Sequence, residues 1–415
     1  MSSDDGFLGA AAAIGRRITA GAVWCDGRCG WVGAVADEAQ PWRAEYRALE
    51  PQLYDGTAGV GLFLARLAAV TGEPAARRTA VGALRHALAR ARAAPPEDGF
   101  HAGSLGIAWA AAVAGSLLEE EELREGARTL PAPPSGPGRC PDVVLGGAGA
   151  ILAQLALADA FDDPSRVEHA HAAGEELLGQ ATVTRHGWCW AVPGRGRRHH
   201  LCGLSHGAAG IGWALAELLA RTGDERFRPG AAGAFAYERS WLDTATGTWP
   251  DLRVGGQRRG GPRRASPACG TWCHGEGGIA LTRLRAVDLI GAEACGDDAA
   301  LALAATRREL ARALPHEIAD LTLCHGAAGA ADVLLCAAPG TAALSCEAAR
   351  EGVELATQLG RAALERYGAA DAAWPCDAGG GTTPALFRGL SGIGWWFLRL
   401  HDPGIPSPLT LPFHG

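Results

Sequence analysis

Hydrophobic positions along the chain fall into two alternating kinds of segment. Runs such as VGLFLARLAAV (60–70), IAWAAAVAGSLL (107–118), AILAQLALADAF (150–161), IGWALAELLAR (211–221) and IGWWFLRLH (393–401) are apolar almost all the way round. That is the pattern of a helix buried on most of its circumference. Between them lie charged stretches with a single apolar face, at 75–94, 297–314 and 346–367, each reading as an outer helix wetted on one side. Alternation with period two is nearly absent, so the pattern predicts an all-α chain with at most short strands in its loops.

The two kinds of segment are punctuated by a repeat. A Gly-x-x-Gly ahead of an apolar run occurs seven times, at Gly56/Gly59, Gly103/Gly106, Gly146/Gly149, Gly207/Gly210, Gly275/Gly278, Gly326/Gly329 and Gly389/Gly392. Successive spacings of 47, 43, 61, 68, 51 and 63 residues drift too much for a tandem array of identical modules. They suit a closed ring of helical hairpins with loops of variable length. The expected fold is therefore a seven-fold double α/α barrel, an inner ring of helices wrapped by an outer one, spanning residues 1–415 as one domain. In that geometry every Gly-x-x-Gly turn starts an inner helix, so the turns gather at one rim, where glycine is expected to permit positive backbone angles and close approach.

Composition narrows the function classes. Hydrophobic residues make up 48% of the chain and charged ones 20%, a globular balance. Lys and Asn are both absent, so all 38 basic residues are Arg, a sign of coding bias that carries no functional meaning. A net charge of −7, with Arg spread out apart from local runs such as Arg195 to Arg198, argues against a nucleic-acid partner. No charge-free run reaches the roughly 18 apolar residues of a membrane span, and Asp4 and Asp5 precede the first apolar stretch, the reverse of a secretory signal. These features predict a cytoplasmic protein whose 12 cysteines are mostly reduced. Cys25, Cys140, Cys189, Cys202, Cys295, Cys336, Cys346 and Cys376 read as filler. Cys25 and Cys29 in WCDGRCGW have a chelating spacing but no partner pair nearby.

Chemistry concentrates in three of the seven turns. The fourth reads LSHGAAG with His206, the fifth WCHGEGG with Cys273 and His274, and the sixth LCHGAAG with Cys324 and His325. Cys273 and Cys324 hold equivalent positions in neighbouring repeats, so they should face one another across the rim. Two thiolates and one imidazole form a three-ligand set suited to Zn²⁺, with a fourth position open as in catalytic sites. Position alone leaves three imidazoles, His206, His274 and His325, competing for the ligand role. Asp142, four residues before Gly146 in DVVLGGAG, is a carboxylate in an apolar stretch. It reads either as a helix-start acid or as a site residue.

From about Arg16 to Pro408 the chain resembles the LanC-like lanthionine cyclases, above all the cyclase region of bifunctional class II lanthipeptide synthetases. The resemblance rests on LYDGTAGVGLFLA, DVVLGGAGAIL, LSHGAAGIGWALAEL, YERSWLDTATGTWPDLR, WCHGEGGIAL, LCHGAAG and GLSGIGWWFLRLHDPGIPSPL in order. It implies the same seven-fold α-barrel, zinc ligands at Cys273, Cys324 and His325, His206 as the catalytic acid/base, and Asp142 as its partner. It implies the reaction too: addition of a peptide cysteine thiol to a dehydroalanine or dehydrobutyrine of the same dehydrated precursor peptide, giving a thioether ring. No dehydratase-like region precedes the motifs, so a free-standing cyclase working with a separate dehydratase is the expectation. Addition of an external thiol such as glutathione, and a non-catalytic peptide-binding role, are the alternatives. The chain departs from the family at Glu276 and Gly277, where members often carry Ala-Pro, at Cys269, where some carry Arg with only Arg263 and Arg264 further back, and at Ala330, where Asn is usual.

Overall fold

A computed structural model describes residues 3–36, 43–97, 99–131, 133, 138–193, 200–253, 270–295, 297–314, 318–337, 345–369, 372–376, 381–410 and 412. Arg195 to Arg198, Arg263, Arg264 and Cys269 lie outside them. The chain opens with helix α1 (Ser3–Ala20) and two short hairpins, β1 (Val23–Cys25) with β2 (Arg28–Gly30) and β3 (Val32–Ala36) with β4 (Ala44–Ala48). Helix pairs follow: α2 (Thr57–Thr71) with α3 (Pro74–Ala93), α4 (Ser104–Leu118) with α5 (Glu121–Arg128), and α6 (Gly147–Phe161) with α7 (Ser165–Gln180). Past the hairpin β5 (Thr182–Thr184) and β6 (Gly187–Cys189) come α8 (Ala208–Thr222) with α9 (Arg228–Arg239). Then α10 (Glu276–Ile290), the single turn α11 (Ala292–Cys295), α12 (Asp298–Ala313), α13 (Ala327–Cys336), α14 (Cys346–Tyr367) and α15 (Leu390–His401) complete the chain.

The expected double ring is present. Each of the seven helices that follow a Gly-x-x-Gly touches the next, in the order α2, α4, α6, α8, α10, α13, α15, and α15 returns to α2. Six outer partners, α3, α5, α7, α9, α12 and α14, come next in the chain after their inner helices. The last inner helix, α15, instead takes α1 as its partner, packed through Phe7 against Phe397, so the two ends of the chain meet and shut the outer ring. All-round apolar sequences form the inner ring because neighbours cover every face: in α4, α6 and α8 nearly every residue is buried.

What holds the rim together is a belt of main-chain hydrogen bonds. Number each turn from its first glycine, and the residue two before it is Tyr54, His101, Val144, Ser205, Cys273, Cys324 or Phe387. The carbonyls of these seven accept N–H groups from the preceding turn all the way round: Tyr54 N to His101 O (2.9 Å), Ala102 N to Val144 O (3.1 Å), Val144 N to Ser205 O (3.4 Å), Ser205 N to Cys273 O (3.0 Å), Cys273 N to Cys324 O (3.4 Å), Cys324 N to Phe387 O (3.0 Å) and Phe387 N to Tyr54 O (2.9 Å). Buried peptide groups must be paired, and this belt pairs them while placing equivalent residues side by side.

Of the two roles expected of these glycines, close approach is present and positive φ is not. The first glycine of each motif is the residue before the helix, with extended backbone rather than positive φ: −112° at Gly56, −109° at Gly275 and −93° at Gly326. The second glycine is there because no side chain fits. A Cβ on it would lie 1.7–2.1 Å from the carbonyl oxygen of the residue six earlier in all seven turns, for example Leu323 O at Gly329. Close approach, not left-handed backbone, is the requirement.

Loops returning from three outer helices share another device. The indole N–H groups of Trp31, Trp190 and Trp249 donate to Ile18 O (2.8 Å), Leu177 O (2.7 Å) and Glu238 O (3.0 Å), in the last turns of α1, α7 and α9. Each indole N–H is thereby paired at a helix end, which fixes where the chain enters the rim.

Candidate metal and catalytic site

Because the belt aligns residues two before each glycine, Cys273 and Cys324 become neighbours although 51 residues separate them. The sulfur atoms and a ring nitrogen of His325 lie within 4.8 Å of one another. Both cysteines are buried, at 8% and 3% exposure, while the His325 side chain is one-third exposed and stands 3.9 Å from Asp320. The Tyr54 hydroxyl, at the equivalent place in the first turn, donates to Cys324 Sγ at 2.8 Å. A hydrogen bond from the Cys324 thiol, with His325 alongside, pulls the Cys273 thiol well below its ordinary range, and burial together with that thiolate pushes Cys324 up. Two soft sulfurs and an imidazole converging in this way could hold a borderline-soft divalent ion such as zinc.

One position later in each turn stand Asp55, Ala102, Leu145, His206, His274, His325 and Arg388. The three imidazoles that repeat position alone left in competition separate here. His325 joins the sulfurs. His206 Nδ1 lies 2.5 Å from Asp142 Oδ2, a fully buried carboxylate. Its Oδ1 accepts the Leu145 N–H at 2.6 Å, and Oδ2 also accepts the Cys140 thiol at 3.3 Å. Asp142 thus braces its own turn and pairs with His206 at once, and Cys140 is a partner rather than filler. With Nδ1 engaged, Nε2 is the nitrogen left to meet a substrate. His274 is buried beside it, ring centroids 5.6 Å apart and Nε2 3.4 Å from Ser205 Oγ, and burial lowers its pKa to about 4.

These groups open on a single cavity of about 320 Å³, lined among others by Tyr54, Asp55, His206, Arg253, Cys273, His274, Cys324, His325 and Arg388. All five site residues read from the sequence are therefore at or behind one cavity. Tyr54, Arg253 and Arg388 were not singled out, although Tyr54 and Arg388 occupy positions that the Gly-x-x-Gly register marks. Glu276 does not line the cavity. It is 1% exposed and accepts the N–H groups of Trp249 (2.8 Å) and Gly270 (3.0 Å), tying two loops together. Cys25 and Cys29 do not meet. Cys25 pairs with Arg28 and Cys29 with Trp24 across the hairpin, so their side chains leave opposite faces; Cys25 is exposed and Cys29 buried.

No described helix is long and apolar enough to cross a membrane. No curated protein matches the sequence significantly. Among solved structures, nisin cyclase covers 85% of this chain and 89% of its own, with 18% identity and a TM-score of 0.58. A sugar epimerase from a ruminal bacterium covers 98% of this chain and 100% of its own, with 12% identity and a TM-score of 0.50. At such identities the likeness is one of fold, a helical barrel common to different chemistries. The sequence profile described as lanthionine synthetase C-like protein matches residues 47–412, a stretch that contains all seven turns and every residue lining the cavity, and on that match the chain belongs to the lanthionine synthetase C-like family.

Proposed function

We propose that this protein is a zinc-dependent peptide cyclase that forms lanthionine or methyllanthionine by adding a cysteine thiol to a dehydroalanine or dehydrobutyrine of the same peptide. One observation carries the reading: a Cys273, Cys324 and His325 donor set and a His206–Asp142 pair open on the same cavity. The donor set fits zinc in its two sulfurs, one nitrogen and their mutual distances. When bound, the ion supplies a Lewis-acid position that keeps a substrate thiol ionised near neutral pH.

The chain's own residues account for the remainder. Attack of sulfur on the alkene moves its π electrons toward the adjoining carbonyl and leaves an enolate. His206, oriented by Asp142, delivers a proton from Nε2 to the α-carbon, and the enolate returns to an amide. Sulfur gains a bond to the β-carbon and the α-carbon gains hydrogen; the proton given up by the thiol balances the one delivered to carbon, so mass is unchanged. The substrate has already lost water from Ser or Thr, so a dehydrating activity acts before this one.

The test is a synthetic peptide bearing one dehydroalanine and one cysteine, incubated with the purified protein with or without glutathione. Ring closure is read as loss of alkylatable thiol at constant mass. Closure without glutathione supports the cyclase; a glutathione adduct with no closure points to external thiol addition. His206→Ala should slow closure by about 10²–10⁴-fold with zinc retained, and closure at the unaltered rate would remove His206 from the role of acid.

A further inference from the structure

The reaction leaves one demand unmet by the residues so far assigned. As sulfur attacks, negative charge collects on the carbonyl oxygen of the dehydrated residue, and a buried oxyanion needs a donor or cation aimed at it. The position where some family members carry an arginine is Cys269 here. A guanidinium nevertheless reaches the cavity from another loop, at Arg253.

Arg253 is built in. Its Nε and Nη2 grip Asp251 along one edge, with Nε to Oδ1 at 3.0 Å, Nε to Oδ2 at 3.2 Å and Nη2 to Oδ2 at 2.8 Å, and its main-chain N–H reaches Oδ1 at 2.9 Å. Asp251 is 3% exposed, while the Arg253 side chain is 42% exposed. The guanidinium is thus locked along its Nε–Nη2 edge where it lines the cavity, and Nη1 takes no part in that grip. Arg253 lines the same cavity as His206, Cys273, His274 and Cys324.

The loop carrying Arg253 is held from below. Glu276, the first residue of α10 and two after His274, bonds the N–H of Trp249 on that loop and the N–H of Gly270 at the start of the turn bearing Cys273. The Trp249 indole fastens the same point to Glu238 O. One carboxylate therefore sets the distance between the loop of Arg253 and the turn of Cys273, and it stands where the family commonly has alanine. The clamp and the relocated arginine are features of the same pair of loops.

Resting on the cyclase reading above, we propose that Arg253 is a catalytic residue that holds the carbonyl oxygen of the dehydrated residue through the enolate stage, and that Glu276 is the positioning residue that sets its place. Electrons flow from the thiolate sulfur to the β-carbon and from the alkene to the carbonyl oxygen, where Arg253 Nη1–H donates. They return to the α-carbon as His206 supplies the proton, leaving Arg253 unchanged.

The experiment is steady-state ring closure on the dehydroalanine–cysteine peptide by the full chain and by Arg253→Gln, Arg253→Lys, Glu276→Gln and the Arg253→Gln/Glu276→Gln double variant, each with its zinc content measured. Arg253→Gln should lower kcat by about 10²–10³-fold with little change in KM and full zinc. Arg253→Lys should regain part of the loss, because charge returns without the fork. Glu276→Gln should cost less, and the double variant should be no slower than Arg253→Gln alone, since the clamp acts through the arginine. Unchanged kcat in Arg253→Gln overturns the proposal. Loss of zinc in both arginine variants overturns it as well, by making Arg253 a support for the metal turn. Absence of ring closure in the unaltered protein would instead overturn the cyclase reading beneath it.

Discussion

Two cysteine pairs in this chain teach opposite lessons about proximity. Cys25 and Cys29 are four residues apart and never meet, because a two-residue Asp26-Gly27 turn, both residues at positive φ (48° and 72°), folds them into a hairpin that sends them to opposite faces. Cys273 and Cys324 are 51 residues apart, yet their sulfurs lie within 4.8 Å of each other and of a ring nitrogen of His325, because the rim belt makes equivalent positions in successive turns into neighbours. Register, not separation along the chain, decides which cysteines can share an ion.

The largest effect that can break this contrast is loss of metal. Cys273→Ala and Cys324→Ala should each lower zinc affinity by more than about 10²-fold, the loss typical of changes only one shell further out. Cys25→Ala and Cys29→Ala should leave stoichiometric zinc in place. Metal analysis after dialysis reads both, and zinc loss in the hairpin variants, or retention in the rim variants, would reverse the comparison.

The same two regions use glycine for different reasons, so alanine should cost them differently. At Gly329 the added carbon would sit 2.0 Å from Leu323 O, next to Cys324, and the turn must move; the cost should be about 3 kcal/mol or more. At Gly27 nothing nearer than 4.0 Å opposes a methyl group, and only the positive φ is penalised, at about 1 kcal/mol. Denaturant midpoints measure both, and equal costs would show that the rim turns can relax.

A third, smaller effect concerns His101, which holds the same belt position as the two rim cysteines but lies among Phe100, Trp272 and Phe387 with both ring nitrogens lacking hydrogen-bond partners. Burial lowers its pKa to about 3. The unfolded chain, with an ordinary value near 6.5, takes up the proton first. This residue's contribution is therefore lost as pH falls from about 6.5 towards 3, at up to about 1.4 kcal/mol per unit. Chelator-treated protein should lose stability between pH 7 and pH 5 more steeply than His101→Leu, and parallel slopes would exclude a neutral, protonation-resistant His101.

The helical rings were legible from the sequence because an inner helix must be apolar all round and an outer one on a single face, and because Gly-x-x-Gly recurs before each inner run. The predicted outer segments 75–94, 297–314 and 346–367 coincide closely with α3, α12 and α14. Less could be read where partners come from distant elements. Nothing local marks α1 as the outer partner of α15, and nothing in the PDLR stretch says that Arg253 enters a cavity whose other walls are turns. Glu276 read only as a departure from the family pattern, since its two partners, Trp249 and Gly270, are brought to it by the fold.

The sequence by itself determined the periodicity, the number of turns and the repeat positions at which cysteine and histidine stand, since these depend only on the order of residues. Repeat position left open which of three equivalent histidines joins the sulfurs; the resemblance implied His325, and the tertiary structure gives the physical reason. Position within a repeat is identical for His206, His274 and His325, and what separates them is the neighbour across the rim: a buried carboxylate for the first, Ser205 for the second and two sulfurs for the third. An imidazole takes its role from what its nitrogens face, and that is settled only when the belt has closed.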